Sequence, residues 1–233
     1  TEEALHGHIE AAVGRFRGIR HMATWDGSPL IKPTRPDPGE HLLLDPAFRD
    51  GIRSLQRLGL AFEAWVYFPQ LHEVADLARA FPDMSIIVNH FGGPIVLGPY
   101  SDRTEVLARC RDGLRTLIGC PNVTLKLGGV GMPLFGLGWH KREVAPEAEE
   151  VAAAWRDTVR WCIESFGVER TMFESNFPVD RFSMSYRTVW DAFDLMTADL
   201  SVSERGHLFH DTAVRTYHLR RHDDPLDHSD KEC

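Results

Sequence analysis

The chain has 233 residues, 43% of them hydrophobic and 26% charged, the composition of an ordinary globular protein and not of a disordered one. Its formal net charge of −8, with no dense Lys/Arg block, excludes a nucleic-acid-binding face, which must neutralise phosphates. No stretch reaches the ~18 apolar residues of a membrane span, and the cysteines (Cys110, Cys120, Cys162 and Cys233) lack C-x-x-C spacing, so they read as reduced thiols in a cytoplasmic protein.

The start, Thr1-Glu2-Glu3-Ala4, is neither a signal peptide nor an initiator methionine. Residues 5–13 read as the end of a helix and 16–21 as a short strand. From Trp25 to Glu40 the chain holds Pro29, Pro33, Pro36 and Pro38, which cannot sustain regular structure, so a long loop is expected. Phe48, Ile52, Leu55 and Leu58 recur at three and four residues, so 45–58 is a helix with one apolar face, ended by Gly59. A strand over 60–67 and a helix over 70–80 follow. Residues 84–89 are almost continuously apolar, as in a parallel sheet covered on both faces.

A helix over 104–118, a strand over 123–127 and a glycine-rich loop over 128–140 come next. The pattern then predicts a long helix over 147–166 and a last strand over 171–175. Two helices close the chain, one over 186–197 and one opened by Ser201 with Glu204 three residues on, a capping box. This alternation predicts an α/β domain over 1–219 and a polar tail over 220–233. Five parallel strands fit either an open doubly wound sheet or strands four to eight of a (β/α)8 TIM barrel. Composition does not choose between them.

In both folds, polar groups at the C-terminal strand ends face a shared cavity. That register collects Arg20 and His21, Tyr67 and Gln70, Asn89 and His90, Lys126, and finally Glu174, Asn176 and Asp180. His90 follows Ile86, Ile87 and Val88 and precedes two glycines, which let backbone approach a ligand closely. Its imidazole can ligate a metal, exchange a proton or polarise a carbonyl. Arg20 suits a substrate carboxylate. Glu63, Lys126 and Glu174 interrupt apolar strands, so Glu174 is either paired with Lys126 or a base with a raised pKa. Trp139 belongs to an expected aromatic flap over the pocket, and His72 is an outside candidate near the rim.

Five segments carry a family resemblance: Phe16-Arg17-Gly18-Ile19-Arg20-His21, Ile87-Val88-Asn89-His90-Phe91-Gly92-Gly93-Pro94, Leu125-Lys126-Leu127-Gly128-Gly129, the run from Met172 to Asp180, and Phe209-His210-Asp211-Thr212-Ala213. In this order they resemble the lactonase-like branch of the amidohydrolase superfamily, of TIM-barrel fold. The resemblance implies water attack on a lactone, ester or amide that bears a carboxylate. A metal-dependent decarboxylase or hydratase of a small ring-derived acid, and a degenerate non-catalytic barrel, are the competing expectations. His90, Glu174, Asn176 and Asp180 are then the candidate catalytic residues, and Arg20, His21, Tyr67, Lys126 and Trp139 the candidate substrate-binding ones.

Two departures bear on metal. The His-x-His pair that such families carry on the first strand has no counterpart on a strand here, and Asn176 stands where their last strand carries an Asp. His90 is the one expected imidazole ligand, against the three protein ligands of a catalytic zinc site. A divalent ion such as zinc in the complete protein and a metal-free reaction both stay open. The expected partner is a small-molecule substrate, with no nucleic acid and no membrane. Because five strands leave open edges, the expectation is that residues upstream of Thr1 complete the barrel or that two copies pair as a homo-oligomer.

Overall fold

The computed structural model describes residues 2–31 and 37–219. The expected polar tail, with Cys233, and the middle of the proline-rich loop lie outside them. Helix α1 (Glu2–Ala11) leads into strand β1 (Gly18–Met22). Helix α2 (Pro46–Arg57) starts where the sequence directs: Asp45 accepts a hydrogen bond from the Phe48 N–H, and Pro46 occupies the first helical position. Strand β2 (Ala61–Trp65), helix α3 (Leu71–Ala80), strand β3 (Ile86–Val88) and helix α4 (Arg103–Ile118) come after it. Then come strand β4 (Val123–Leu127), helix α5 (Ala148–Phe166), strand β5 (Thr171–Phe173) and helix α6 (Tyr186–Met196).

The strands form one parallel sheet in the order β1-β2-β3-β4-β5. A doubly wound sheet reverses its strand order at a switch point. This one runs in a single direction. It is therefore an arc of a (β/α) barrel, and the open alternative is set aside.

Register then sorts the side chains. Arg20 lies beside Glu63, Glu63 beside Ile87, Ile87 beside Thr124, and Lys126 beside Met172. Residues paired in a parallel ladder point the same way, so these line the inner face of the arc. A small apolar floor of Ala61, Ile87 and Met172 is buried there, with Ala213 and Tyr217 packed against it. The large core lies on the other face, where Phe62, Ile86, Val88, Leu125 and Leu127 meet the helices.

The end of the chain departs from expectation. In place of one helix after Ser201, α7 (Val202–Gly206) runs through a π-helical turn, His207–Asp211, into α8 (Thr212–Thr216). The expected capping box is present, with Ser201 and Glu204 bonded reciprocally. A π turn inserts one residue and rotates the rest of the helix about its axis, and beyond it Ala213 and Tyr217 contact the inner floor. Strand β3 is shorter than its apolar run because Met84 bonds back to the Phe81 carbonyl in a turn. Cys110, Cys120 and Cys162 are buried free thiols. Among the described residues, no helix is long and apolar enough to cross a membrane.

Candidate active site

All five strands deliver a polar side chain to the inner face near its C-terminal end. Arg20 Nη2 lies 2.8 Å from His90 Nε2. A guanidinium only donates, so Nε2 is the acceptor and the proton of a neutral ring sits on Nδ1. That Nδ1 lies 2.5 Å from Glu174 Oε1, in close contact but off the hydrogen-bonding line, which leaves both atoms without a directed partner.

The Glu174 Oε2 atom is 3.7 Å from Lys126 Nζ. Lys126 itself sits 3.0 Å from both oxygens of Glu63. Tyr217 donates its hydroxyl to Glu63 Oε1, and Lys126 Nζ stands over the Tyr217 ring. The expected Lys126–Glu174 pair is thus the looser half of a triad whose tighter partner is Glu63. The result is one line of polar contacts: Arg20, His90, Glu174, Lys126, Glu63.

Burial pushes the Glu174 carboxyl up, but His90, Lys126 and Arg20 together hold it below its ordinary value. The raised-pKa base considered from the sequence is therefore not what the site contains. Glu174 is an ionised carboxylate.

His90 is only 1% exposed. Its ring meets the edge of Trp65 at 4.7 Å between centroids. His90 and Phe91 both have positive φ, 53° and 55°, an arrangement bulky residues rarely adopt. Such strain recurs at functional sites. The adjoining glycines have a different reason from the expected one. A Cβ on Gly93 would lie 2.0 Å from the Val66 carbonyl oxygen, and one on Gly92 would strike Leu71. They admit neighbouring protein, not a ligand. Asn89 is fully buried with both side-chain amide atoms unpartnered, and buried polar groups left so are rare outside functional sites.

At the last strand, Asn176 has φ 52° and donates from Nδ2 to Asp180 Oδ1 at 2.8 Å. Asp180 Oδ2 accepts from the Gly131 N–H at 3.1 Å. Asp180 is fully buried, and burial raises its pKa to about 7 against the pull of those two hydrogen bonds. The pair pins the loop after β5 to the glycine-rich loop after β4.

Besides Asn176 and Asp180, three expected site residues lie apart from this line. His21 is next to Arg20 in sequence and so on the opposite face of β1. It packs at 5.5 Å against Phe48 and lines an outer cavity of about 420 Å³ with Leu5, His8 and Ile19. Trp139 is buried and gives its indole N–H to Glu150 at the start of α5, so it anchors the loop and is no open flap. Tyr67 is buried too: burial raises its pKa, and its hydroxyl bonds Thr24. Glu63 was visible as a charge in an apolar strand. Tyr217 carried no sequence signal, because the π turn sets its direction.

As a zinc site the strand ends fall short. Among the described residues the available donors are His90 and Glu174, with Arg20 on the second His90 nitrogen and Lys126 beside the carboxylate. Two donors flanked by two cations do not fit a divalent ion that needs three protein ligands.

A barrel arc with convergent ionisable groups at its strand ends is the frame of a TIM-barrel-type enzyme. The family model described as Amidohydrolase matches residues 2–219, and the chain belongs to that family. It is 36% identical over 219 residues to the uncharacterized protein y4mH of Sinorhizobium fredii, covering 93% of this chain and 65% of that protein. It is 27% identical over 176 residues to an L-fucono-1,5-lactonase of Burkholderia multivorans, covering 75% of this chain and 57% of the lactonase. The structure of an amidohydrolase from Burkholderia multivorans with bound zinc superposes with a TM-score of 0.71 at 25% identity, covering 88% of this chain and 65% of that one. The chain thus spans less than two thirds of the length of each of these curated relatives.

Proposed function

We propose that this chain carries the proton-moving and anion-binding part of a hydrolase that opens a small lactone bearing polar or carboxylate groups. The observation that carries the reading is the line Arg20–His90–Glu174. Arg20 engages a substrate oxygen and releases His90 Nε2. Water attacks the carbonyl carbon while its proton passes to Nε2, and the ring C–O bond then breaks. His90 returns the proton to the departing alkoxide. Glu174, ionised and facing Nδ1–H, stabilises the imidazolium between those events, as the acid of a Ser-His-Asp triad does. Asn176, held by Asp180, orients the water or the carbonyl, and Lys126 keeps Glu174 charged.

The lactonase relative favours a sugar-acid lactone as substrate. The zinc of the structural neighbour favours a divalent ion in the complete protein, although the donors at these strand ends do not assemble its site. We take the metal-free route for the residues at hand. The test is hydrolysis of aldonolactones by the complete protein, followed by acid release in weakly buffered solution. His90→Ala should lower kcat/KM by about 10²–10⁴-fold, the range of general acid–base catalysis. An unchanged kcat/KM would remove His90 from the mechanism and the proposal with it.

A further inference from the structure

We propose that His41, His72 and Glu73 form a second, separate cation site, of a kind that takes zinc, which clips the loop before α2 to the first turn of α3. One ligand atom from each of the three lies within 4.8 Å of the others. Two imidazole nitrogens and one carboxylate oxygen are the ligand set of many open zinc sites, with the remaining position left to water. Tetrahedral zinc with bonds of ~2.0–2.1 Å places its ligand atoms about 3.4 Å apart, so the cluster closes on an ion with small side-chain shifts.

The second observation is Glu73 itself. This carboxylate is 1% exposed, yet no Lys or Arg pairs with it among the described residues. Its Oε1 meets His41 Nδ1 at 3.0 Å, and its Oε2 has no hydrogen-bond partner. A buried carboxylate is expensive unless a cation or several donors meet it. One histidine contact does not satisfy two oxygens.

His72 is oriented for the same role. Its Nδ1 donates to the Pro69 carbonyl at 2.8 Å, so the neutral ring keeps a lone pair on Nε2. A backbone carbonyl on one ring nitrogen is the usual way a ligand histidine is fixed. The site is distinct from the strand-end line: none of its members touches Arg20, His90, Glu174 or Lys126 in the described contacts.

The test titrates the full chain with zinc chloride in a non-chelating buffer, reading stoichiometry by calorimetry and Tm by thermal melting. The proposal expects the His41→Ala/His72→Ala double variant to bind one zinc fewer than the parent and to lose the zinc-induced rise in Tm. His90→Ala should keep both. Both histidines are exposed, so the double variant should fold, and its zinc-free melt checks this. Cobalt(II) gives a second reading: visible absorption bands of a low-coordinate site should appear in the parent and vanish in His72→Ala alone. Equal zinc stoichiometry in parent and double variant, or cobalt bands that survive His72→Ala, would overturn the site. Neither result touches the hydrolase reading, which rests on other residues.

Discussion

The Arg20 guanidinium donates to Nε2 of His90 across 2.8 Å, although 70 positions separate the two residues in sequence. That contact fixes the histidine tautomer. With Nε2 occupied as an acceptor, the ring proton faces Glu174, and the imidazole cannot take a second proton until the guanidinium moves. In the proposed mechanism, a substrate carboxylate or carbonyl that draws Arg20 away frees His90 Nε2.

Arg20→Lys should test this coupling. An ammonium is a point charge and cannot hold imidazole and substrate with one planar fork. We expect a rise in KM and an acid limb of the kcat/KM profile displaced from the parent's. A pH profile identical to the parent's would show that Arg20 does not control His90.

Glu174→Gln leaves the shape but removes the charge facing Nδ1. The proposed role predicts a fall in kcat of about 10²–10⁴-fold, with the fold retained in circular dichroism. A loss of stability without a specific loss of kcat would reduce Glu174 to a structural partner of Lys126.

Lys126 and Glu63 are 13% and 15% exposed at the side chain and lie 3.0 Å apart. Removing one charge of such a pair strands the other. Lys126→Met should destabilise by about 3 kcal/mol in urea unfolding, and adding Glu63→Gln should recover a large part of that. Simple additivity of the two single variants would show that the ions do not interact.

Gly93→Ala should be severe. The new Cβ would sit 2.0 Å from the Val66 oxygen at a φ of +72°. A backbone shift behind His90 is required, with a loss of about 3 kcal/mol or more and loss of activity. Gly119→Ala, where nothing lies within 4 Å of the Cβ, is the control and should stay near neutral in the same melts.

The raised pKa of Asp180 sets a sign for stability against pH. Its proton is held more tightly in the folded protein, so its contribution is greatest in acid and is lost as the pH rises from the ordinary value of 3.8 towards about 7. Relative to Asp180→Asn, the parent should lose stability across that window, by at most a few kcal/mol, and change no further above it. A constant difference across the whole of that window would mean that Asp180 is ionised throughout.

The sequence by itself determined the alternation of strands and helices, the parallel sheet and the polar character of its C-terminal ends. The apolar run of residues 84–89 and the three-four periodicity within α2 are local, so they survive in one dimension. The capping box at Ser201 was legible for the same reason. The resemblance added the barrel, which the single-direction strand order then established.

Only the tertiary structure decided which polar groups meet. Arg20 and His21 are adjacent in the chain but face opposite sides of β1, whereas Arg20 and His90 come from different strands and touch. Lys126 takes Glu63 as its nearer partner although β3 lies between their strands, because both side chains reach across the inner face of the arc, a meeting that sequence distance does not announce. Tyr217 reaches Glu63 across 154 positions beyond a π turn that no residue pattern announces. A chain states its local periods openly. Long-range contacts depend on register, twist and the packing of distant elements, which appear only when the whole fold is assembled.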